Sequence, residues 1–149
     1  VEYAVAALGV RDIIVCGHSD CGAMKALSNP VGLDKMPNVA AWLRHGTAAQ
    51  HVVDTCYPHL DDHARVRAIS LENVVAQIAH LRTHPSVAGA IARGEMALHG
   101  WFVDIHAGQI LGLDGETGRF TPLRDDRPLP VAVSSSPRMA ADFFVEAAE

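Results

Sequence analysis

The sequence lacks the features that mark several functional classes. No Lys/Arg cluster is present to follow a phosphate backbone, and the net charge is -5, so nucleic acid is not an expected partner. No apolar run approaches the roughly 18 residues of a membrane span, and no secretory signal is visible. Three cysteines are too few, and odd in number, for a disulfide scaffold, which makes the reducing cytoplasm the expected compartment. There is no internal repeat. Neither G-x-G-x-x-G nor a Walker pattern occurs, so nucleotide-phosphate binding ranks low. What remains is a chain of 149 residues, 49% hydrophobic and 19% charged, which suits one globular domain.

The chain begins at Val1, inside an amphipathic pattern. Val1, Ala4, Val5 and Leu8 form one apolar helical stripe, with Gly9 placed to stop it. Arg11 to Cys16 contains four apolar residues in a row, three of them β-branched. That pattern predicts a strand buried on both faces, as in parallel sheets. A polar turn, Gly17 to Gly22, leads into a helical segment from Ala23 to Leu27, with Ser19 or Asp20 as its expected cap. The turn therefore sits at the carboxyl end of a strand, where open α/β sheets place ligands.

Pro37 opens a helix carrying Val39, Trp42 and Leu43, and Thr47 to Cys56 predicts another. His59 to Arg67 is polar and shows no clear period. Leu71, Val74, Val75, Ile78 and Leu81 keep helical spacing behind a candidate Ser70 cap, and Pro85 ends that run. Ser86 to Arg93 predicts a short helix. Trp101 to Ile105 reads as a strand, Ile110 to Leu113 as its hairpin partner, and a short strand follows near Phe120. From Arg124 the chain turns Pro- and Ser-rich. This divides it into a folded part, 1–123, and a tail, 124–149, in which Met139 to Ala148 is either a short helix or disordered.

Three chemistries compete at the turn. His18 and Cys21 are an imidazole and a thiol three residues apart, a pair that suits tetrahedral Zn²⁺; the alternative is a buried Cys beside a hydrogen-bonded His. Gly17-His18-Ser19-Asp20-Cys21 approaches the G-x-S-x-G nucleophile elbow, which would make Ser19 a hydrolase nucleophile. Cys21, however, occupies the position that needs glycine. Phosphate binding at the helix N-terminus is the third and ranks below the other two.

Val1-Glu2-Tyr3-Ala4-Val5 with Ile14-Val15-Cys16-Gly17-His18-Ser19-Asp20-Cys21-Gly22-Ala23-Met24 resembles the second half of a β-class carbonic anhydrase zinc site. Glu72-Asn73-Val74 with Gln77, Leu81-Arg82-Thr83-His84-Pro85, His99-Gly100-Trp101-Phe102-Val103-Asp104-Ile105 and Gly115-Glu116-Thr117-Gly118 are similar to further family segments. The resemblance runs in order from about residue 1 to 123. It implies an α/β fold, a mostly parallel sheet flanked by helices. It implies zinc as the cofactor, with His18 and Cys21 as two of three protein ligands. Gly22 matches the position whose backbone N–H faces bicarbonate, and Tyr3 an aromatic beside the pocket. The implied reaction is hydration of CO₂ to bicarbonate and a proton by zinc-bound hydroxide. The implied assembly is a homodimer or tetramer.

The family's other block, C-x-D-x-R, is absent from the sequence. Cys16, Cys21 and Cys56 are followed by Gly-His-Ser, Gly-Ala-Met and Tyr-Pro-His. The resemblance therefore implies the carboxyl-terminal two-thirds of such a protein, without its first strand, one Cys ligand and an Asp–Arg pair. Impaired catalysis is the expectation, and a non-catalytic interaction module of the same fold is the alternative. Cys16 shares a strand face with His18 and is a weak substitute ligand. Cys56 reads as a helix-packing thiol, Asp61-Asp62 as a charged loop, and Trp42 and Trp101 as core or dimer contacts. His45, His51, His59, His63, His80 and His84 read as surface or capping residues. His99 and His106 flank a strand, where a proton shuttle is a remote alternative.

Overall fold

The computed structural model describes residues 1–133. The order of elements is α1 (Glu2–Ala6), β1 (Asp12–His18), α2 (Gly22–Ser28), α3 (Pro37–Leu43), α4 (Thr47–Cys56), α5 (Asp62–Thr83), α6 (Pro85–Ala92), β2 (Ala97–Asp104), β3 (Gln109–Asp114) and β4 (Arg119–Pro122). The four strands form one sheet in sequence order. β1 and β2 are parallel, whereas β2–β3 and β3–β4 are antiparallel. The fold is α/β and the sheet is mixed. The parallel pairing lies at β1–β2 because only there does a helical crossover separate the strands, while turns of a few residues force the other two pairs antiparallel.

The 22-residue α5 covers one face of the sheet. Val74 and Ile78 on α5 join Val87, Ala90, Met96, Leu98 and Leu113 in the main core. A second cluster, Met24, Leu27, Leu43, Val53 and Ile69, fills the space between α2, α3, α4 and α5. Among the described residues nothing covers the other face of β1. Its burial alternates, and Ile14 is 47% exposed, so the expected strand buried on both faces is corrected to one half-buried face.

Helix α5 begins well before the hydrophobic period. Asp61, expected in a charged loop, caps it, its Oδ1 accepting the Ala64 N–H at 2.8 Å. Ser70, the expected cap, lies inside the helix, buried, and donates its hydroxyl to the Val66 carbonyl at 2.8 Å. The first turn is polar and exposed, so it adds nothing to the apolar period from which the helix is read. Cys56, expected as a helix-packing thiol, is exposed, and Trp42, expected as a core or dimer contact, is 74% exposed and so lies outside the core. Residues 124–133, expected as tail, return to the sheet. Val133 bridges Leu98, and Val131 accepts the Gly115 N–H. The helix considered over Met139 to Ala148 lies outside the described residues.

Two glycines set the distance between sheet and helix. A Cβ on Gly100 would lie 2.8 Å from Ile78 Cδ1 and 3.0 Å from Val74 Cγ1, and one on Gly17 would lie 2.9 Å from Val74 Cγ2. Glycine at these sites lets α5 sit directly on the β1–β2 pair. Arg67 on α5 also donates to Asp104 Oδ2 at 2.8 Å and lies 4.7 Å over the Phe102 ring, tying the helix to the end of β2. The Ala107 backbone N–H, and then Arg67, hold the Asp104 carboxyl below the usual carboxylate range.

Gly100→Ala is expected to lower stability by about 1–3 kcal/mol through overpacking. Gly89→Ala, on α6 and facing only the flexible end of Arg93, is expected to be neutral or to stabilise by up to about 1 kcal/mol, both read by urea denaturation. Asp104 has a depressed folded-state pKa, so its stabilisation is complete above the unfolded value near about 4 and is lost as pH falls through the lower folded value. The stability gap between the natural chain and Asp104→Asn is therefore expected to be full at neutral pH and to close in acid. A gap that persists in acid contradicts this.

Candidate metal centre

His18 is the last residue of β1 and pairs with Val103 of β2. Its side chain is at the exposed surface, on the strand face it shares with Ile14 and Cys16. Its Nδ1 lies 2.8 Å from the Ser19 carbonyl oxygen. A carbonyl only accepts, so Nδ1 carries the hydrogen, and in the neutral ring the lone pair resides on Nε2. That tautomer suits a metal ligand.

The chain then turns. Ser19 is 7% exposed, and its backbone N–H donates to the Val103 carbonyl at 2.8 Å. Its Oγ accepts the Ile105 N–H at 2.9 Å. This corrects the cap expectation, and it leaves Ser19 unlike a nucleophile: its oxygen is committed to a backbone amide, and no histidine bonds to it among the described residues. Asp20 takes a left-handed backbone, φ 59°, and pairs with Lys25, whose ammonium holds the Asp20 carboxyl below its usual range. Cys21 is the N-cap of α2, half-buried, and its side chain makes no capping hydrogen bond. Gly22 opens α2, where its backbone N–H has no intrahelical partner.

The donor chemistry fits zinc in kind. Imidazole nitrogen and thiolate sulfur are both zinc ligands, and His18 and Cys21 flank one tight turn, with His18 Nε2 and the Cys21 thiol uncommitted among the described residues. A catalytic zinc site takes three protein donors, and this pair offers two of the suitable type. Among the described residues no group of three His, Cys, Asp or Glu side chains converges on one point. Cys16 therefore does not complete the set. Its thiol is exposed and lies 3.5 Å from the Gly17 carbonyl. Tyr3, on α1, is 72% exposed.

A cavity of about 930 Å³ opens beside the turn, lined among others by Ser19, Asp20, Lys25, His63, Arg67 and Asp104. Neither His18 nor Cys21 lines it. His99, a remote shuttle candidate, is instead a structural bridge, with Nε2 2.9 Å from Asp12 Oδ1 on β1 and Nδ1 3.4 Å from the Pro130 carbonyl. The Arg67–Asp104 tie and the Ser19 anchor leave no signal in the sequence, because their partners are distant in the chain.

Comparison with known proteins gives a consistent result. The family model described as carbonic anhydrase matches residues 1–110. A carbonic anhydrase of Pseudomonas aeruginosa is 49% identical over 140 residues, which cover 94% of this chain and 63% of that protein. Carbonic anhydrase 1 of Escherichia coli O157:H7 is 51% identical over 123 residues, 83% of this chain and 56% of that protein. The chain thus spans about three-fifths of the length of these relatives. Among solved structures, the β-carbonic anhydrase CcaA superposes with a TM-score of 0.80 at 36% identity, covering 89% of this chain and 58% of that one. Sequence, fold and the His–Cys turn converge, and the chain belongs to the β class of the carbonic anhydrase family.

Proposed function

We propose that this chain carries the His–Cys part of a zinc-dependent carbonic anhydrase site, for reversible hydration of CO₂ to bicarbonate and a proton. The observation that carries the reading is the turn at the end of β1. There His18 has Nδ1 committed to the Ser19 carbonyl and Nε2 free, one turn from an uncommitted Cys21 thiol. His18 and Cys21 are the residues that would hold the ion. The chemistry zinc supplies at such a site is acidity: the pKa of coordinated water falls toward about 7, a value established for carbonic anhydrases in general and not read from this chain. The chain's own residues orient the donors and place the free Gly22 N–H at the start of α2, suited to a developing or bound oxyanion. Tyr3 is proposed as an aromatic near the substrate, which for CO₂ needs only a small apolar space.

The sequence contains no C-x-D-x-R string, and the described residues offer two donors where three are needed. We therefore infer incomplete metal ligation and little or no CO₂ hydration for this chain by itself. A homodimer or tetramer is the proposed assembly. In support, the bare face of β1 exposes Ile14, and a related structure from Sordaria macrospora is described as tetrameric. No helix among the described residues is long and apolar enough to cross a membrane. A cytoplasmic location is part of the proposal.

Zinc content by elemental analysis, with stopped-flow CO₂ hydration of the purified chain at neutral pH, tests the reading. Substoichiometric or readily lost zinc with turnover near the buffer background is expected. One tightly held zinc per chain with robust turnover would sink the claim of an incomplete site. Absence of any zinc binding that depends on His18 or Cys21 favours the non-catalytic module.

A further inference from the structure

We propose that Ser19 is a positioning residue for the His18 imidazole, and hence for the ligand face of the metal site; the inference rests on the zinc reading of the turn. Three separate hydrogen bonds converge on this one buried residue. Its N–H donates to the Val103 carbonyl at 2.8 Å, its Oγ accepts the Ile105 N–H at 2.9 Å, and its carbonyl accepts the His18 Nδ1–H at 2.8 Å. The first two attach the turn to the end of β2, and the third attaches the ring to the turn.

The geometry explains why a hydroxyl is needed. β1 and β2 pair in register up to His18 and Val103. Beyond that rung β1 must leave the ladder, because Asp20 adopts a left-handed backbone and the chain turns into α2. The Ile105 N–H would then face no strand carbonyl. The Ser19 hydroxyl supplies the missing acceptor and extends the ladder by one side-chain rung. With the residue clamped on both sides, and only 7% exposed, its carbonyl has a fixed direction. An imidazole bonded to that carbonyl presents Nε2 outward, as metal-binding histidines do when the other nitrogen is held by a backbone acceptor. Alanine keeps the carbonyl and the N–H bond to Val103 but loses the Ile105 side of the clamp.

The test uses the full chain, with Ser19→Ala and Ser19→Thr. The His18 tautomer is read by ¹⁵N NMR of the imidazole, affinity for Zn²⁺ alone by calorimetry, and folding by thermal denaturation. In the natural chain His18 is expected to be the Nδ1–H tautomer. Ser19→Ala is expected to mix the tautomers and to weaken Zn²⁺ binding by about 10–100-fold, the range for lost support of a metal ligand. Ser19→Thr, which keeps the hydroxyl, is expected to restore both. A merely structural serine would change the melting temperature and leave the tautomer unmoved. An Nε2–H tautomer in the natural chain overturns the proposal whether or not the alanine variant folds. So does a folded Ser19→Ala chain with unchanged tautomer and unchanged Zn²⁺ affinity. A natural chain with the expected tautomer that binds no Zn²⁺ overturns the zinc reading and leaves the Ser19–His18 geometry standing.

Discussion

The parallel pairing of β1 with β2, held against α5 by two glycines, is the constraint on which the rest depends. Gly17 and Gly100 leave no Cβ between the strands and Val74 and Ile78, so the helix rests directly on the pair. That fixes the height at which β1 ends, and β1 ends on His18. The last rung, His18 with Val103, is followed at once by the Ser19 clamp, the left-handed Asp20 and the start of α2. The position of the imidazole and thiol is thus a consequence of strand register and close helix packing. Local sequence supplies the donor types, and the long-range pairing decides where they point.

Much of this is legible from residues alone, for physical reasons that differ by element. Thr47–Cys56 is bounded by Gly46 and Pro58, and its helix has those limits. The β2–β3 hairpin declares itself through β-branched and aromatic alternation around Ala107-Gly108. The start of α5 is hidden because its first turns carry Arg65 and Arg67, whose partners Asp54 and Asp104 are 11 and 37 residues away. Ser19 reads as a cap or a nucleophile because both roles are local. Its actual partners lie at the end of β2 and just beyond it, Ile105 being 86 residues away. The bare face of β1 escapes a reading of periodicity because four apolar residues in succession fit a strand covered on both sides, and the pattern alone does not tell whether a cover is present.

The donor set carries the proposed function. In the proposed site the His18 imidazole, held through Nδ1, and the Cys21 thiol offer two donors, and a catalytic zinc needs one protein donor more. The chain belongs to the carbonic anhydrase family, its sequence has no C-x-D-x-R string, and among the described residues no three His, Cys, Asp or Glu side chains converge. Among the described residues β1 is an edge strand of the sheet, and it is the strand that ends on His18. The edge strand and the His–Cys turn therefore belong to one stretch of chain.

X-ray absorption spectroscopy of the zinc-loaded chain tests the central claim most directly, because it counts the donors around the ion. The account predicts one sulfur at about 2.3 Å and one imidazole nitrogen at about 2.0 Å, with light-atom ligands from solvent in the remaining positions. Two sulfurs per zinc within a single chain, or a shell with neither sulfur nor imidazole, would contradict it.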